Sequence, residues 1–323
     1  MTLTAVEKSL LRTLVWFDLL HYPLTETECW YYLYQAPADL VEVNLIQIES
    51  ALKSLLKAGR VESLDGFWQL AGSHLSRTAR FERARWAIAK RQRAVKGAKL
   101  MSYLPWVRFV GLVNTVALEV PSQASDIDLF IILQPGRLWL GRLVVVLAAH
   151  LRGWRQYGRQ VRDRLCLSFF VTADQLKLQS LAYSDDPYLK FWIASVVPLL
   201  DVGIYRQWQR ENEWITESLP NIKSVWQRSN DLTPNLALVE QTALANHSQR
   251  LVEKLFGGSF GDWCERWAEN LQRPRLERYL GTKLNDGSGA VVITKQVMKL
   301  HLNDRRLKFA SDWRQKLAEL QLS

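Results

Sequence analysis

The chain has 323 residues, 48% of them hydrophobic and 23% charged, a balance that excludes wholesale disorder and suits two or three domains. The net charge of +10 favours anionic partners such as nucleotides, nucleic acid or an acidic membrane surface, although general solubility accounts for such an excess equally well. Three widely spaced cysteines, Cys29, Cys166 and Cys264, argue against a disulfide framework or a zinc site, and each reads as a small buried hydrophobe.

The chain opens without a basic, then apolar, leader. Leu10, Leu11, Leu14, Val15, Leu19 and Leu20 recur at helical steps and predict one buried helix face, ended by Pro23. Thr25 and Glu28 have capping-box spacing for a second helix. A third helix is expected from about Leu45 to Lys57, stopping at Gly59. Residues 61–70 read as two short strands about an Asp65-Gly66 turn. Three helices and a small hairpin are the order of a winged helix, here residues 1–74.

Residues 75–104 predict a basic helix in which Arg83, Arg91 and Arg93 are among nine cations facing one acid, Glu82. Such a face is either solvated or a surface that tracks phosphates. From Trp106 the pattern becomes strand and helix in alternation, which predicts an α/β core within residues 75–175. Its expected parts are a strand at 107–113, a second at 126–133, a helix at 137–151 and a third strand at 165–171. The helix at 137–151 is the most apolar stretch. Arg142 interrupts it, and it falls short of the roughly 20 apolar residues that cross a membrane. A soluble, cytoplasmic protein with no membrane span is therefore expected. Residues 176–323 read as a helical region, with one β-like run at 290–293 after Asp286-Gly287-Ser288-Gly289.

Ser125-Asp126-Ile127-Asp128-Leu129 is the segment that carries chemistry. Alternate residues of a strand share a face, so Asp126 and Asp128 project together while Ile127 enters the core. Two neighbouring carboxylates need a compensating charge, and a hard divalent cation with oxygen ligands supplies it. Asp-x-Asp alone is a weak pattern, mostly found in solvated turns. The apolar run Leu129-Phe130-Ile131-Ile132-Leu133 behind it sharpens it here.

The chain resembles the nucleotidyltransferases of the DNA polymerase β superfamily, in particular a bacterial and archaeal group with an N-terminal winged helix. The resemblance rests on several blocks in order. They are Phe17-Asp18 with His21-Tyr22-Pro23-Leu24-Thr25, then Asp65-Gly66-Phe67, then Pro105-Trp106-Val107-Arg108, and then the Asp126/Asp128 segment with Gly136-Arg137-Leu138-Trp139 behind it. Cys166-Leu167-Ser168-Phe169-Phe170, Asp186-Pro187-Tyr188-Leu189 and His301-Leu302-Asn303-Asp304-Arg305-Arg306 follow. The resemblance implies an α/β (α+β) multidomain chain with a polymerase-β-like core. It also implies Mg²⁺ (or Mn²⁺) on Asp126 and Asp128, and a nucleoside triphosphate as donor of a nucleoside monophosphate to a hydroxyl on protein, nucleic acid or small molecule.

Two positions depart from that pattern. Asn114-Thr115 stand where the family has Gly-Ser, so Asn114, Thr115, Ser125 and Arg137 are the candidate nucleotide contacts. The usual third carboxylate falls at Ser168, which leaves Asp163 and Asp174, at the two ends of that strand, as candidates for the third acid. Two further accounts stay open. A decayed catalytic fold would bind nucleic acid as a regulator through the winged helix and Arg83, Arg91 and Arg93. A protein-docking or ligand-sensing module is the other.

Overall fold

The structure, a computed structural model, describes residues 3–36, 43–73, 76–183, 186–232, 238–284, 289–302 and 304–322. The expected turn at Asp286-Gly287-Ser288 and the residue Asn303 lie outside them. Among the described residues the chain is mixed α/β, with twelve α-helices, a three-stranded sheet and a six-stranded sheet. No described helix is long and apolar enough to cross a membrane.

The first seventy residues are organised by local signals. Helix α1 (Ala5–Leu19) starts at a capping box of Thr4 and Glu7. Strand β1 (Leu24–Thr25) leads into α2 (Glu26–Tyr31), capped by Thr25 and Glu28. Helix α3 (Leu45–Lys57) starts at Asn44 and Gln47. In each box, two amides left over at the helix start find side-chain acceptors. Strands β2 (Val61–Leu64) and β3 (Phe67–Leu70) meet at Asp65 and Gly66, whose φ angles of 51° and 82° make the two-residue turn that matches strand twist. The small sheet has the order β1-β3-β2.

Helix α4 (Arg77–Met101) leads to strand β4 (Val107–Leu112), the short helix α5 (Asn114–Ala117) and strand β5 (Ile127–Leu133). Helix α6 (Leu138–Leu151) crosses back to strand β6 (Leu165–Thr172), which runs parallel to β5. Then come α7 (Pro187–Ala194), β7 (Val197–Asp201), α8 (Tyr205–Glu211), α9 (Asn221–Leu232), α10 (Ala243–Leu255) and α11 (Gly258–Leu280). Strands β8 (Val291–Ile293) and β9 (Val297–Leu300) precede α12 (Arg306–Glu319).

The large sheet has the order β7-β4-β5-β6-β9-β8, and every pairing except β5 with β6 is antiparallel. The chain beyond residue 175 therefore departs from the expected helical character. Besides 290–293, the segments 197–201 and 297–300 are strands of the same sheet. Strand β7 holds Pro198, which is tolerated because β7 is an edge strand, paired in the sheet on one side only.

The sheet is buried on both faces. Ile127, Leu129, Ile131 and Leu133 join one core with Ala94 and Ala98 of α4 and with Leu138 and Val145 of α6. Phe130, Ile132, Phe169 and Val171 join the other, which continues through Trp192 and Phe191 of α7 to Trp16 of α1. Trp16 stacks on Phe191 at 4.8 Å, so the N-terminal helices pack onto the layer that covers this face. The two acids of the candidate site leave the strand on this second side.

Candidate metal centre

The mouth of β5 is set by three backbone ties. The Val113 amide donates to the Asp128 carbonyl at 3.2 Å, and the Ile127 amide donates to the Arg164 carbonyl at 2.8 Å. The Asp163 amide donates to the Ser125 carbonyl at 3.1 Å. Asn114, directly after β4, has φ 56°, the left-handed conformation that favours glycine and that asparagine tolerates best among the other residues. The chain therefore turns sharply from β4 into α5 beside Asp128. Thr115 lies in the first turn of α5.

Asp126 and Asp128 converge with Cys166, each half-buried, with one oxygen or sulfur of each within 4.8 Å of the others. Among the described residues no lysine or arginine forms an ion pair with either acid. Burial, and then the charge of Asp128, push the Asp126 carboxyl up to about 6. Burial and the two acids likewise push the Cys166 thiol far above its usual range, so it stays protonated at neutral pH. Its Sγ lies 3.3 Å from Ser168 Oγ, which in turn lies 3.4 Å from His301 Nε2. Burial holds His301 below its ordinary value against the pull of Asp128, which keeps the ring neutral at pH 7.

This donor set fits a divalent cation. Two carboxylate oxygens on one face, not ion-paired by any described lysine or arginine and strained by mutual repulsion, suit Mg²⁺ or Mn²⁺. The nearby thiol is a poor ligand while protonated, and a softer ion would be needed to displace its proton.

Neither candidate third acid joins the cluster. Asp163 sits at the same end of the sheet, but its carboxylate meets Lys90 Nζ at 2.7 Å and lies 3.8 Å from Arg93 and 3.5 Å from Arg162. Burial alone would raise its pKa, yet Lys90 and the two arginines hold it below the ordinary value. Asp174 follows the far end of β6 and accepts from Gln296 Nε2 at 3.0 Å. The third member is instead Cys166, paired with Asp128 in the parallel register. An extra residue in β6 between the Asp128 and Phe130 pairings puts Cys166, rather than Leu167, opposite Asp128.

The remaining sequence candidates divide clearly. Ser125 Oγ accepts from the Ser122 amide at 2.9 Å, and its carbonyl accepts from Lys90 Nζ at 2.7 Å. Arg137 is placed beyond the opposite end of β5 from Asp126 and Asp128. It pairs with Asp262 at 2.8 Å and donates to the Phe256 carbonyl at 3.1 Å, which ties α6 to α11. Arg83 donates to the carbonyls of Leu20 and His21, so it fastens α4 to the N-terminal helices. Arg91 pairs with Glu119 at 2.9 Å. Of the three, only Arg93 remains mostly exposed.

Lys90 was not singled out by sequence, because in a run of cations nothing marks the one that is buried. It is 2% exposed and its ammonium group meets Asp163 and the carbonyls of Ser125 and Gln123. Arg306 is similarly hidden, between Asp186 at 3.1 Å and Asp304 at 2.8 Å, with Lys299 on Asp304 at 2.6 Å. Half-buried His301 and Asp304 and buried Arg306 thus form a polar layer beside the cluster, while Arg305 is exposed. Compared with models of protein families, with curated proteins and with solved structures, the chain matches none of them.

Proposed function

We propose that the chain is a nucleotidyltransferase-like protein of the DNA polymerase β superfamily type, with an N-terminal winged helix. In this reading it transfers a nucleoside monophosphate from a nucleoside triphosphate to a hydroxyl acceptor. The observation that carries the proposal is the Asp126–Asp128 pair at the mouth of a buried strand, with no ion pair to a lysine or arginine among the described residues. The left-handed Asn114 supports it, because it supplies without glycine the turn that the resemblance requires beside the second acid.

In this account Asp126 and Asp128 hold Mg²⁺ or Mn²⁺. When bound, that ion neutralises charge on the phosphate oxygens and orients the triphosphate. The chain's own contribution is positional. Lys90 and Asp163 lock the backbone leading into Asp126, and Asn114 brings the start of α5 beside Asp128. Ser168 stands between Cys166 and neutral His301 beside the pair.

A second reading is favoured by Cys166. With a protonated thiol as the third member of the cluster, no third acid among the described residues stands there to take a proton from the acceptor hydroxyl. The fold would then bind nucleotide and metal without turnover, as a regulatory or nucleic-acid-binding module. One experiment separates the two. The purified chain and its Asp126→Asn variant are incubated with each α-labelled triphosphate and Mg²⁺ or Mn²⁺. Transfer predicts label incorporated by the wild type alone. Retention of labelled nucleotide without incorporation supports the second reading, and equal incorporation by both proteins removes the first.

A further inference from the structure

The link between α6 and β6 holds five arginines in the thirteen residues 152–164, namely Arg152, Arg155, Arg159, Arg162 and Arg164. Its one acid, Asp163, is already taken by Lys90. Among the described residues, no carboxylate forms an ion pair with Arg152, Arg155, Arg159 or Arg164. Arg152, Arg159 and Arg162 are exposed, and Arg155 and Arg164 half-buried. Arg93 and Lys96 of α4 extend the same surface. Like charges gathered this closely repel one another, and a polyanion would relieve that repulsion. The strain is felt inside the fold too, where burial and the nearby Arg155 push Arg142 down to about 10.

The link is held in shape by its backbone. The Trp154 amide donates to the Ala149 carbonyl at 2.9 Å, the Leu165 amide to the Trp154 carbonyl at 2.7 Å, and the Gln156 amide to the Leu165 carbonyl at 3.0 Å. Between its first turn and α4 lies a recess of about 240 Å³, lined by Arg93, Lys96, Trp154, Asp163, Arg164 and Leu165. Gly153 adopts φ 64°, and Arg164 Nη1 would lie 3.7 Å from a Cβ added there, so this guanidinium lies close over the glycine. Aromatic rings alternate with the cations. The Arg152 guanidinium lies 5.8 Å from the Trp154 ring, and Tyr157 is 67% exposed. Arginines for phosphates, interleaved with accessible rings for bases, are what an unpaired strand requires. A membrane would instead meet a flat face, whereas here Arg93, Lys96 and Arg164 gather about a recess.

We propose that residues 152–164, with Arg93 and Lys96, form a binding surface for single-stranded nucleic acid, the arginines meeting backbone phosphates and Tyr157 and Trp154 meeting bases. The surface lies at the same end of the sheet as the acid pair, because Asp163 and Arg164 bond directly to Ser125 and Ile127. Binding stands on these residues alone. That the strand presents its terminal hydroxyl to Asp126 and Asp128 is an extension that rests on the transfer reading.

The test is fluorescence anisotropy of end-labelled 15-mers of oligo(U) and oligo(dT) with the full chain in EDTA. Four phosphate contacts predict a log–log salt slope of about −3, so affinity falls roughly 50-fold between 50 and 200 mM salt. Changing Arg152, Arg159 and Arg162 together to Ala should weaken binding at least tenfold with an unchanged circular dichroism spectrum. Tyr157→Ala should weaken it at least fivefold while keeping the salt slope. A preference between the two oligomers identifies RNA or DNA as the partner within the proposal. Triple-variant binding equal to wild type, no binding at 50 mM salt, or tighter binding to phosphatidylserine vesicles or polyglutamate would overturn it. An unchanged Tyr157→Ala protein would overturn the role given to the rings. Asp126→Asn should bind as wild type, so a failure of transfer and a failure of binding are told apart.

Discussion

Replacing Asp126 by Asn should make the metal-free protein more stable near neutral pH. Burial and the neighbouring Asp128 raise the Asp126 carboxyl to about 6 in the folded chain. In the unfolded chain an aspartate titrates at about 3.9. Between these two values the folded state holds a proton that the unfolded state has released. The contribution of Asp126 to stability is therefore most favourable below about pH 4 and falls as pH rises through 6. Two units at about 1.4 kcal/mol each amount to about 3 kcal/mol above pH 6. Asparagine keeps the shape without the charge, so the full gain should be seen at pH 7.5 and should vanish near pH 4. With an unfolding entropy of about 0.7 kcal/mol/K for a chain of 323 residues, the melting temperature rises by about 4 °C. Circular dichroism melts in EDTA at the two pH values measure it. A variant melting at or below the wild type at pH 7.5, or an equal gain at both pH values, would refute the electrostatic account of the site.

Other substitutions probe its supports. Lys90→Met should cost about 3–5 kcal/mol, because it leaves the Asp163 carboxylate and the carbonyls of Ser125 and Gln123 without their buried partner. Urea unfolding checks this, and a loss under 1 kcal/mol would mean water replaces the amine. Cys166→Asp adds a third carboxylate to the cluster. It should lower the melting temperature in EDTA and raise it above the wild type in millimolar Mg²⁺; a variant indifferent to Mg²⁺ would count against an ion there. Arg306→Met should leave the Asp186 carboxylate without its ion partner and Asp304 with Lys299 alone, and destabilise by about 3–5 kcal/mol, again read by urea.

What the sequence disclosed follows from range. The capping residues Thr25 and Glu28 and the Asp65-Gly66 turn act on their immediate neighbours, so their pattern is local and readable. Strands β7 and β9 were not readable. Val197-Pro198-Leu199-Leu200 has no alternation, and its partner β4 lies some ninety residues earlier. The acid pair was legible because strand alternation alone puts Asp126 and Asp128 on one face. Cys166 was missed because a one-residue irregularity in β6 changes which side chain stands beside Asp128, and pattern cannot register an unpaired residue. The burial of Lys90 and the anchoring of Arg137 on Asp262 are tertiary facts, invisible among so many cations. The arginines of residues 152–164 were in plain view, but only the fold sets them beside α4 and the mouth of β5.

The most direct measurement is a titration of the full chain with Mn²⁺ at pH 7.5, followed by the loss of free-ion paramagnetic resonance signal. The arrangement of Asp126, Asp128 and Cys166 predicts saturable uptake of Mn²⁺, competed by Mg²⁺ and abolished by Asp126→Asn and by Asp128→Asn alike. Uptake unchanged in both variants, or none in the wild type, would contradict the claim that these two carboxylates are held together for a cation.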